Sequence, residues 1–596
     1  MDVQQENYPE LEEDKAAVQF ALGVDQLARG RSQEALSPLR EAFNLKPQCP
    51  KFATAFAHAL HTCGHLTEAV GVLEAAVSFN FEDSELLYNL ATLQLEGGWP
   101  NKALTHLEEV VLQQPDDASA WHGIGLAQLA LCKPSHALIA LGKAVELSPQ
   151  NPAYQYDLGN ALLDLKDYAA AIEAFKCTLE LSPEHANALS NLGHALVQAG
   201  KFVEARDAIE KVFQSEGRWL DFLTLGHLEF HSFRLPESKT AFLRASNLAP
   251  AQWEPLSCLG VVAHEEGNFQ EALSFYERAL KNSAYNPDIL WNQALTLLTL
   301  GEFERGWIAY ESRWDRPDFP SPSIDTKLPL WAGQKGRVLI HTEQGLGDSI
   351  QFVRFLRHAI NRCEAGIVLT AEPELVRIFR SSSLPASIVS KADALDHESF
   401  DFHIPLMSLP KVLGIKPTEY SSDKPYIIVP RTDSSQRVIS SSLPRIGLVW
   451  EGNQRNLKGL KRSIPQFDFL QAIQTSGVKA DYFCLHPDAA GTTLDLENGN
   501  KITSFCKPPD DLAETAALIE TLDLVVSVDT AVAHLAASMG IDTWILLCAM
   551  PDWRWNNGGN ETLWYPDIHI YRQQVHGQWT EPLQQLAVDM SQHFTL

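Results

Sequence analysis

The residue types best suited to reaction chemistry sit in Arg337–Arg357, RVLIHTEQGLGDSIQFVRFLR. Val338, Leu339 and Ile340 form a short apolar, β-favouring run, which predicts a buried strand. Gly345 and Gly347 then let the backbone turn tightly and bring bare N–H groups close to a ligand. Ile350, Val353, Phe355 and Leu356 carry helical spacing, so a helix starts near Asp348. A carboxylate at such a turn either caps its helix or faces a ligand as a general base. Ile350 stands where a dinucleotide fingerprint needs its third glycine, which argues against NAD.

Three later stretches hold comparable chemistry. In LDLVVSVDTAVAHLAASMG, Leu522–Gly540, a strand ends at Val528, Asp529 and Thr530 can cap, and Ala531 to Met539 is helical. The N–H groups at that helix start suit a phosphate; a capped crossover helix with His534 in its core fits equally. EGNQRNLKGLKRS, Glu451–Ser463, sets Arg455, Lys458, Lys461 and Arg462 against one acid. Its place at the carboxyl end of a strand favours anion binding. MPDWRW, Met550–Trp555, is a third strand-end loop with aromatic surface and no chemistry readable from its sequence.

Alternating strand and helix patterns must position these loops. VLIH, GIVLT, ASIVS and FDFHIPLMSLPKVLG predict a parallel α/β lobe over 337–430. The polar 431–444 stretch suits an interlobe connection. RIGLVW, ADYFCLH, KITSF, LDLVVSV, TWILLC and IHIYR predict a second lobe over 445–596. Two Rossmann-like lobes facing across a cleft is the expected architecture. The proline-rich 319–336 reads as a linker.

The first half is a repeat. Gly23, Ala57, Ala91, Gly125, Gly159, Gly193, Gly226, Gly260 and Ala294 are 34 residues apart, with one 33-residue step. A small residue follows twelve positions later in most units, and prolines punctuate the ends. The pattern resembles the tetratricopeptide repeat, best kept in Trp121–Pro149, and predicts an α-solenoid of about nine units over 16–318. The last unit, with Gly306 and GEFERGWIAYESRW, reads as a cap that docks onto the α/β half of the chain. In this family one helix face lines a concave groove for protein segments. Here that face carries Tyr88, Tyr156 and Trp291 at one position, and His58, Asn160, His194 and His227 one turn on. Asn187 and Asn191 add amides able to bond an extended peptide.

Composition narrows the classes further. The 596 residues carry a net charge of −28, unsuited to a general nucleic-acid binder. The acidic stretch 1–15 reads as a tail, the opposite of a secretory signal. No apolar run approaches the roughly 18 residues a membrane span needs. The nine cysteines are scattered without CxxC pairs, which predicts free thiols in a reducing cytoplasm and no metal site.

EQGLGDSIQF, RIGLVWEGN with its basic loop, and SVDTAVAHLA together resemble the heptosyltransferase-type, family 9-like GT-B glycosyltransferases, over about Arg337 to Arg572. Behind tetratricopeptide repeats, the whole resembles bacterial protein glycosyltransferases, including those that modify flagellin. The resemblance implies a metal-independent, inverting enzyme with no cofactor beyond its nucleotide-sugar substrate. Asp348 matches the base of the acceptor-side lobe. Gly345, Leu346, Gly347, Lys461, Arg462, Asp529, Thr530, Ala531 and His534 fall on the donor-binding motifs. Glu343 is near enough in sequence to raise the basicity of Asp348, and Glu514 is a candidate for holding a ribose. FCLHPDAAG replaces a more typical strand end. The implied acceptor is a Ser or Thr of flagellin held by the repeats. The implied sugar is a nonulosonic acid, such as pseudaminic or legionaminic acid, carried on CMP. Two other readings stay open: transfer to a lipid-linked or saccharide acceptor, and a non-catalytic binding scaffold.

Overall fold

The computed structural model describes residues 8–213, 217–420, 425–430, 442–452, 457–486, 493–496, 499–504, 511–555, 558–559, 562–565 and 567–595. Residues 431–441 of the expected interlobe stretch 431–444 lie outside them, as does Arg455. Among the described residues no helix is long and apolar enough to cross a membrane.

Nine consecutive helix pairs run from Tyr8–Ala28 with Ser32–Leu45 to Pro287–Thr299 with Phe303–Tyr310. Residues 8–15 of the stretch expected as a tail lie in the Tyr8–Ala28 helix. The repeated glycine has a steric cause. A Cβ on Gly125 would lie 2.4 Å from Leu141 Cγ, and one on Gly260 would lie 2.3 Å from Tyr276 Cε1. The second helix of each such pair lays a large side chain on that spot. The small residues twelve positions on, from Ala35 to Ala272, are fully buried for the same reason.

The chain divides into two compact units, Met1–Leu228 and Glu229–Leu596. Among its described residues the first holds helices joined by short turns and no strand. The second combines the last repeats with both α/β lobes in one core. Ala294, Leu298, Phe303, Trp307 and Tyr310 belong to the same buried cluster as the interiors of both sheets. Trp307 donates its indole N–H to the Tyr420 hydroxyl at 2.8 Å. Its ring meets Trp553 edge-on at 5.3 Å and Phe352 at 5.8 Å. The degenerate last repeat thus docks onto the lobes, as its aromatic content predicts.

The first sheet comprises β1 (Val338–His341), β2 (Ile367–Ala371), β3 (Ser387–Ser390) and β4 (Phe402–Pro405), all parallel, in the order β3-β2-β1-β4. The second comprises β5 (Arg445–Val449), β6 (Asp481–Cys484), β7 (Thr493–Asp495), β8 (Lys501–Ser504), β9 (Leu524–Val528), β10 (Thr543–Leu547) and β11 (Ile568–Arg572). Its order is β11-β10-β9-β5-β6-β8-β7, parallel except for the antiparallel edge strand β7. This is the solenoid followed by a two-lobed GT-B region expected from the sequence. The near-continuous apolar runs of β1, β9 and β10 are buried on both faces, as parallel strands flanked by helices must be. Strand order reverses at β1 and at β5–β9, so the loops after these strands open at the switch points where such sheets take ligands.

The stretch 319–336 connects repeats and lobes but is pinned down. Trp331 is buried and donates its backbone N–H to the His403 carbonyl at 2.8 Å. Ile324 and Leu328 pack on Leu339, Val368 and Phe400. The apolar residues within this proline-rich segment make it a strap over the first sheet.

Candidate active site at the lobe junction

After β1 the chain turns through Gln344, whose φ of 65° is left-handed, into the Leu346–Phe352 helix. Asp348 Oδ2 accepts the Gly345 N–H at 2.9 Å, closing the start of that helix. Its other oxygen pairs with Nη2 of Arg554, from the opposite lobe, at 2.5 Å. Arg554 is buried, donates Nη1 to Asp552 at 2.6 Å and Nε to Gln351 at 2.8 Å, and lies 4.2 Å over the Trp553 ring. Burial opposes its charge, but Asp552 and Asp348 outweigh burial and raise its pKa above the usual arginine value. The MPDWRW loop therefore supplies the direct partner of Asp348. Its only signal in sequence was an arginine between two tryptophans at a strand end.

The second-lobe motif meets this pair. Ser527 and Thr530 share a hydroxyl–hydroxyl bond of 3.1 Å where β9 gives way to the Ala531–Ser538 helix. His534 is buried, bonded through Nδ1 to the Tyr565 hydroxyl at 3.0 Å and stacked on Trp555 at 5.1 Å. Burial, helped by Arg554, pushes its pKa down to about 3, so the ring is neutral near pH 7. Asp529 lies 3.6 Å from Arg462 and 3.8 Å from His534 Nε2. Burial raises its pKa against the pull of Arg462. A Cβ on Gly347 would lie 3.1 Å from His534 Cδ2 and 3.3 Å from Ala531 Cα. The two helix starts therefore touch, and Gly345, Leu346, Gly347 and Asp348 come together with Ala531 and His534.

The basic loop sits beside them on the Leu457–Arg462 helix. Gly452 is needed there, because a Cβ would lie 2.6 Å from Arg462 Nε. Lys461 pairs at 2.5 Å with Glu265, at the end of the Glu254–Glu265 repeat helix, and His576 approaches the same carboxylate at 3.7 Å. Both predicted phosphate cations are thus held in ion pairs within the protein.

Glu343 is fully buried, accepts from Arg313 at 3.0 Å and from the Met407 N–H at 3.1 Å, and makes no bond to Asp348. Burial lifts its pKa to about 7 against Arg313. Its role is to receive the last repeat's buried arginine rather than to tune Asp348. Glu514 accepts from Arg377 of the first lobe at 2.9 Å, alongside Asp511.

In the repeats, Tyr156 and Asn160 join a polar ladder. Asn191 donates to Asn160 at 2.8 Å and to the Tyr156 hydroxyl at 3.4 Å. Asn160 donates to Asp157 at 3.3 Å, and Asp157 pairs with His122 at 2.7 Å. Tyr88, His194 and His227 are likewise half-buried on first helices of their pairs, and burial lowers the His194 pKa. His58 is exposed, and Asn187 is held by Arg218 at 2.6 Å. Trp291 departs from the groove expectation: it packs on Tyr310 at 4.8 Å with Arg316 5.4 Å over its ring.

Comparison with known proteins agrees with both halves. Residues 88–152, 156–216, 224–287 and 259–318 match the tetratricopeptide repeat family. Residues 470–543, which include Asp529, Thr530, Ala531 and His534, match glycosyltransferase family 9 (heptosyltransferase). Protein FlbA of Caulobacter vibrioides is 24% identical over 363 residues, which cover 54% of this chain and 58% of that protein. The chain thus spans little more than half the length of this curated relative. Among solved structures, a tetratricopeptide repeat protein from Parabacteroides merdae is 18% identical with a TM-score of 0.35, covering 42% of this chain and 99% of its own. A MamA fragment from Desulfovibrio magneticus RS-1 is 28% identical with a TM-score of 0.28, covering 29% and 97% respectively. Repeat register, lobe topology and family match converge on a tetratricopeptide-repeat solenoid fused to a heptosyltransferase-like glycosyltransferase domain.

Proposed function

We propose that this chain is a protein O-glycosyltransferase whose repeats hold an acceptor protein, flagellin in this reading, while the lobes transfer a sugar to its Ser or Thr. The supporting observation is the position of Asp348: its carboxylate stands at the lobe junction, tied to Arg554 of the opposite lobe, next to the family 9 motif at His534. In the reaction, the acceptor hydroxyl gives its proton to Asp348 as its oxygen attacks the anomeric carbon. The bond from that carbon to the donor phosphate breaks, and its electron pair leaves on the phosphate. One displacement inverts the anomeric centre. General-base help of this kind contributes roughly 10²- to 10⁴-fold. Fixed cations and helix-start N–H groups stabilise the leaving phosphate, so the reaction needs no metal. The donor is a nonulosonic acid, such as pseudaminic or legionaminic acid, linked to CMP, and transfer takes place in the cytoplasm.

Intact-mass measurement of flagellin co-expressed with the chain is the direct test. A mass increase is expected with the wild type and none with Asp348→Asn, while the variant still captures flagellin in a pull-down. Undiminished transfer by Asp348→Asn would return Asp348 to a helix cap. EDTA should leave the rate unchanged.

A further inference from the structure

The carboxyl ends of the second sheet carry four cationic side chains with described surroundings: Lys461, Arg462, Arg554 and Arg572. Three are matched within the protein. Lys461 has Glu265 at 2.5 Å, Arg462 has Asp529 at 3.6 Å, and Arg554 has Asp348 at 2.5 Å and Asp552 at 2.6 Å. Arg572, the last residue of β11, has no carboxylate partner among the described residues. Its Nη2 donates to the Trp555 carbonyl at 3.0 Å. Its Nε and Nη1 are closed off from solvent and have no hydrogen-bond partner among the described residues. Gln573 next to it is 2% exposed; its Oε1 accepts the Ala549 N–H at 3.3 Å, and its Nε2 has no partner among the described residues.

Burial lowers the Arg572 pKa, opposed only by the Cys548 thiol. Trp555, whose carbonyl Arg572 holds, stacks on His534 at 5.1 Å, which places Arg572 at the flank of the donor motif rather than in a separate part of the lobe. Arg572 is half-buried, and a guanidinium with two nitrogens shut off from water and no counter-charge is costly; folded proteins leave few buried donors unpaired. Unpaired guanidinium donors at the carboxyl edge of a parallel sheet are the complement of an oxyanion.

The geometry points to Arg572, with Gln573 beside it, as the receiver of a phosphate oxyanion of the nucleotide-sugar donor. The ligand's charge then completes a site whose other described cations are already matched. The ligand's identity rests on the glycosyltransferase reading; the unmatched cation does not.

The full chain is titrated by calorimetry and thermal shift with inorganic pyrophosphate, CMP, UDP, GDP and ADP. Wild type should be stabilised by pyrophosphate and by at least one nucleotide. Arg572→Gln should weaken that affinity at least tenfold, with Arg572→Lys recovering part of it. Without ligand, Arg572→Gln should melt no lower than wild type, because an unmatched buried charge is gone. Gln573→Glu supplies an internal counter-charge, so it should fold and lose the same affinity; it carries the test if Arg572→Gln does not fold. Equal nucleotide affinity in wild type and in these variants overturns the assignment and leaves the glycosyltransferase reading standing. Pyrophosphate binding without any nucleotide supports the anion site and counts against that reading. Failure of every probe to bind the wild type overturns the proposal.

Discussion

A carboxylate that accepts a proton from a hydroxyl must keep a lone pair free. Asp348 uses one oxygen for the Gly345 N–H and the other for Arg554, and its side chain stays 22% exposed. It is therefore fixed in direction yet still reachable. The buried ionisable groups behind it set how stability depends on pH, with opposite signs. His341 is held down to about 3 by burial and the neighbouring His403, so between about 3 and the ordinary histidine value of about 6.5 the unfolded chain binds more protons. Its contribution is present above that window and is lost as pH falls through it. Glu343 is raised to about 7, so from its ordinary value upward the folded chain holds the proton, and stability is lost as pH rises. Urea unfolding at pH 5, 6 and 7 should show that His341→Gln flattens the rise of stability with pH. Glu343→Gln should steepen it. The same change of slope in both variants would contradict these assignments.

Between residue and molecule, the decisive elements are the short helices whose starts meet at Gly347. Gly347→Val adds atoms where the first Cβ already lies 3.1 Å from His534 and 3.3 Å from the Ala531 backbone. Overpacking of this kind costs roughly 1–3 kcal/mol, and here it also parts the helix carrying Asp348 from the donor motif. Transfer should fall more than thermal stability, as rate and melting measurements on one preparation would show. A second element-level link joins a repeat helix to the basic loop through Glu265 and Lys461. In the proposed function, a donor phosphate competes with Glu265 for that ammonium. Glu265→Gln should therefore tighten donor binding several-fold by calorimetry; unchanged or weaker binding would mean that Lys461 serves only to join the repeats to the lobe.

At the scale of the whole molecule, the composition change near Asp318 is not a folding boundary. Trp307 and Tyr310 fill the lobe core from the repeat side, and Arg313, fully buried, answers Glu343 and Ser408. A fragment starting at Ser321 loses all three. Leaving a buried charge unpaired costs about 3–5 kcal/mol, and losing a core tryptophan costs about as much. Together these rival the roughly 5–15 kcal/mol that stabilises a typical domain. Circular-dichroism melts should therefore show a cooperative transition for a fragment starting at Gly217 and none for one starting at Ser321. A cooperative melt of the shorter fragment would show that the last repeat is dispensable to the fold.

The sequence by itself determined whatever depends on a local period or a local turn. The 34-residue spacing of small residues gave nine helix pairs, because each marks where a partner helix lays a large side chain. The apolar runs marked every described strand except β7, whose three residues at the sheet edge carry no such run. The GLGD and VDTAVAH turns were legible because glycine and capping residues fix backbone direction within a few positions. Tertiary structure alone decided the partners. Arg554 reaches Asp348 across 206 positions and Lys461 reaches Glu265 across 196, while Glu343 turned to Arg313 instead of its near neighbour Asp348. Such pairs follow from which side of a loop faces inward once two sheets and a repeat stack share a core, and no short-range pattern encodes that. The same holds for Arg572, which reads as the end of an ordinary strand until packing shuts two of its nitrogens off from solvent with no counter-charge among the described residues.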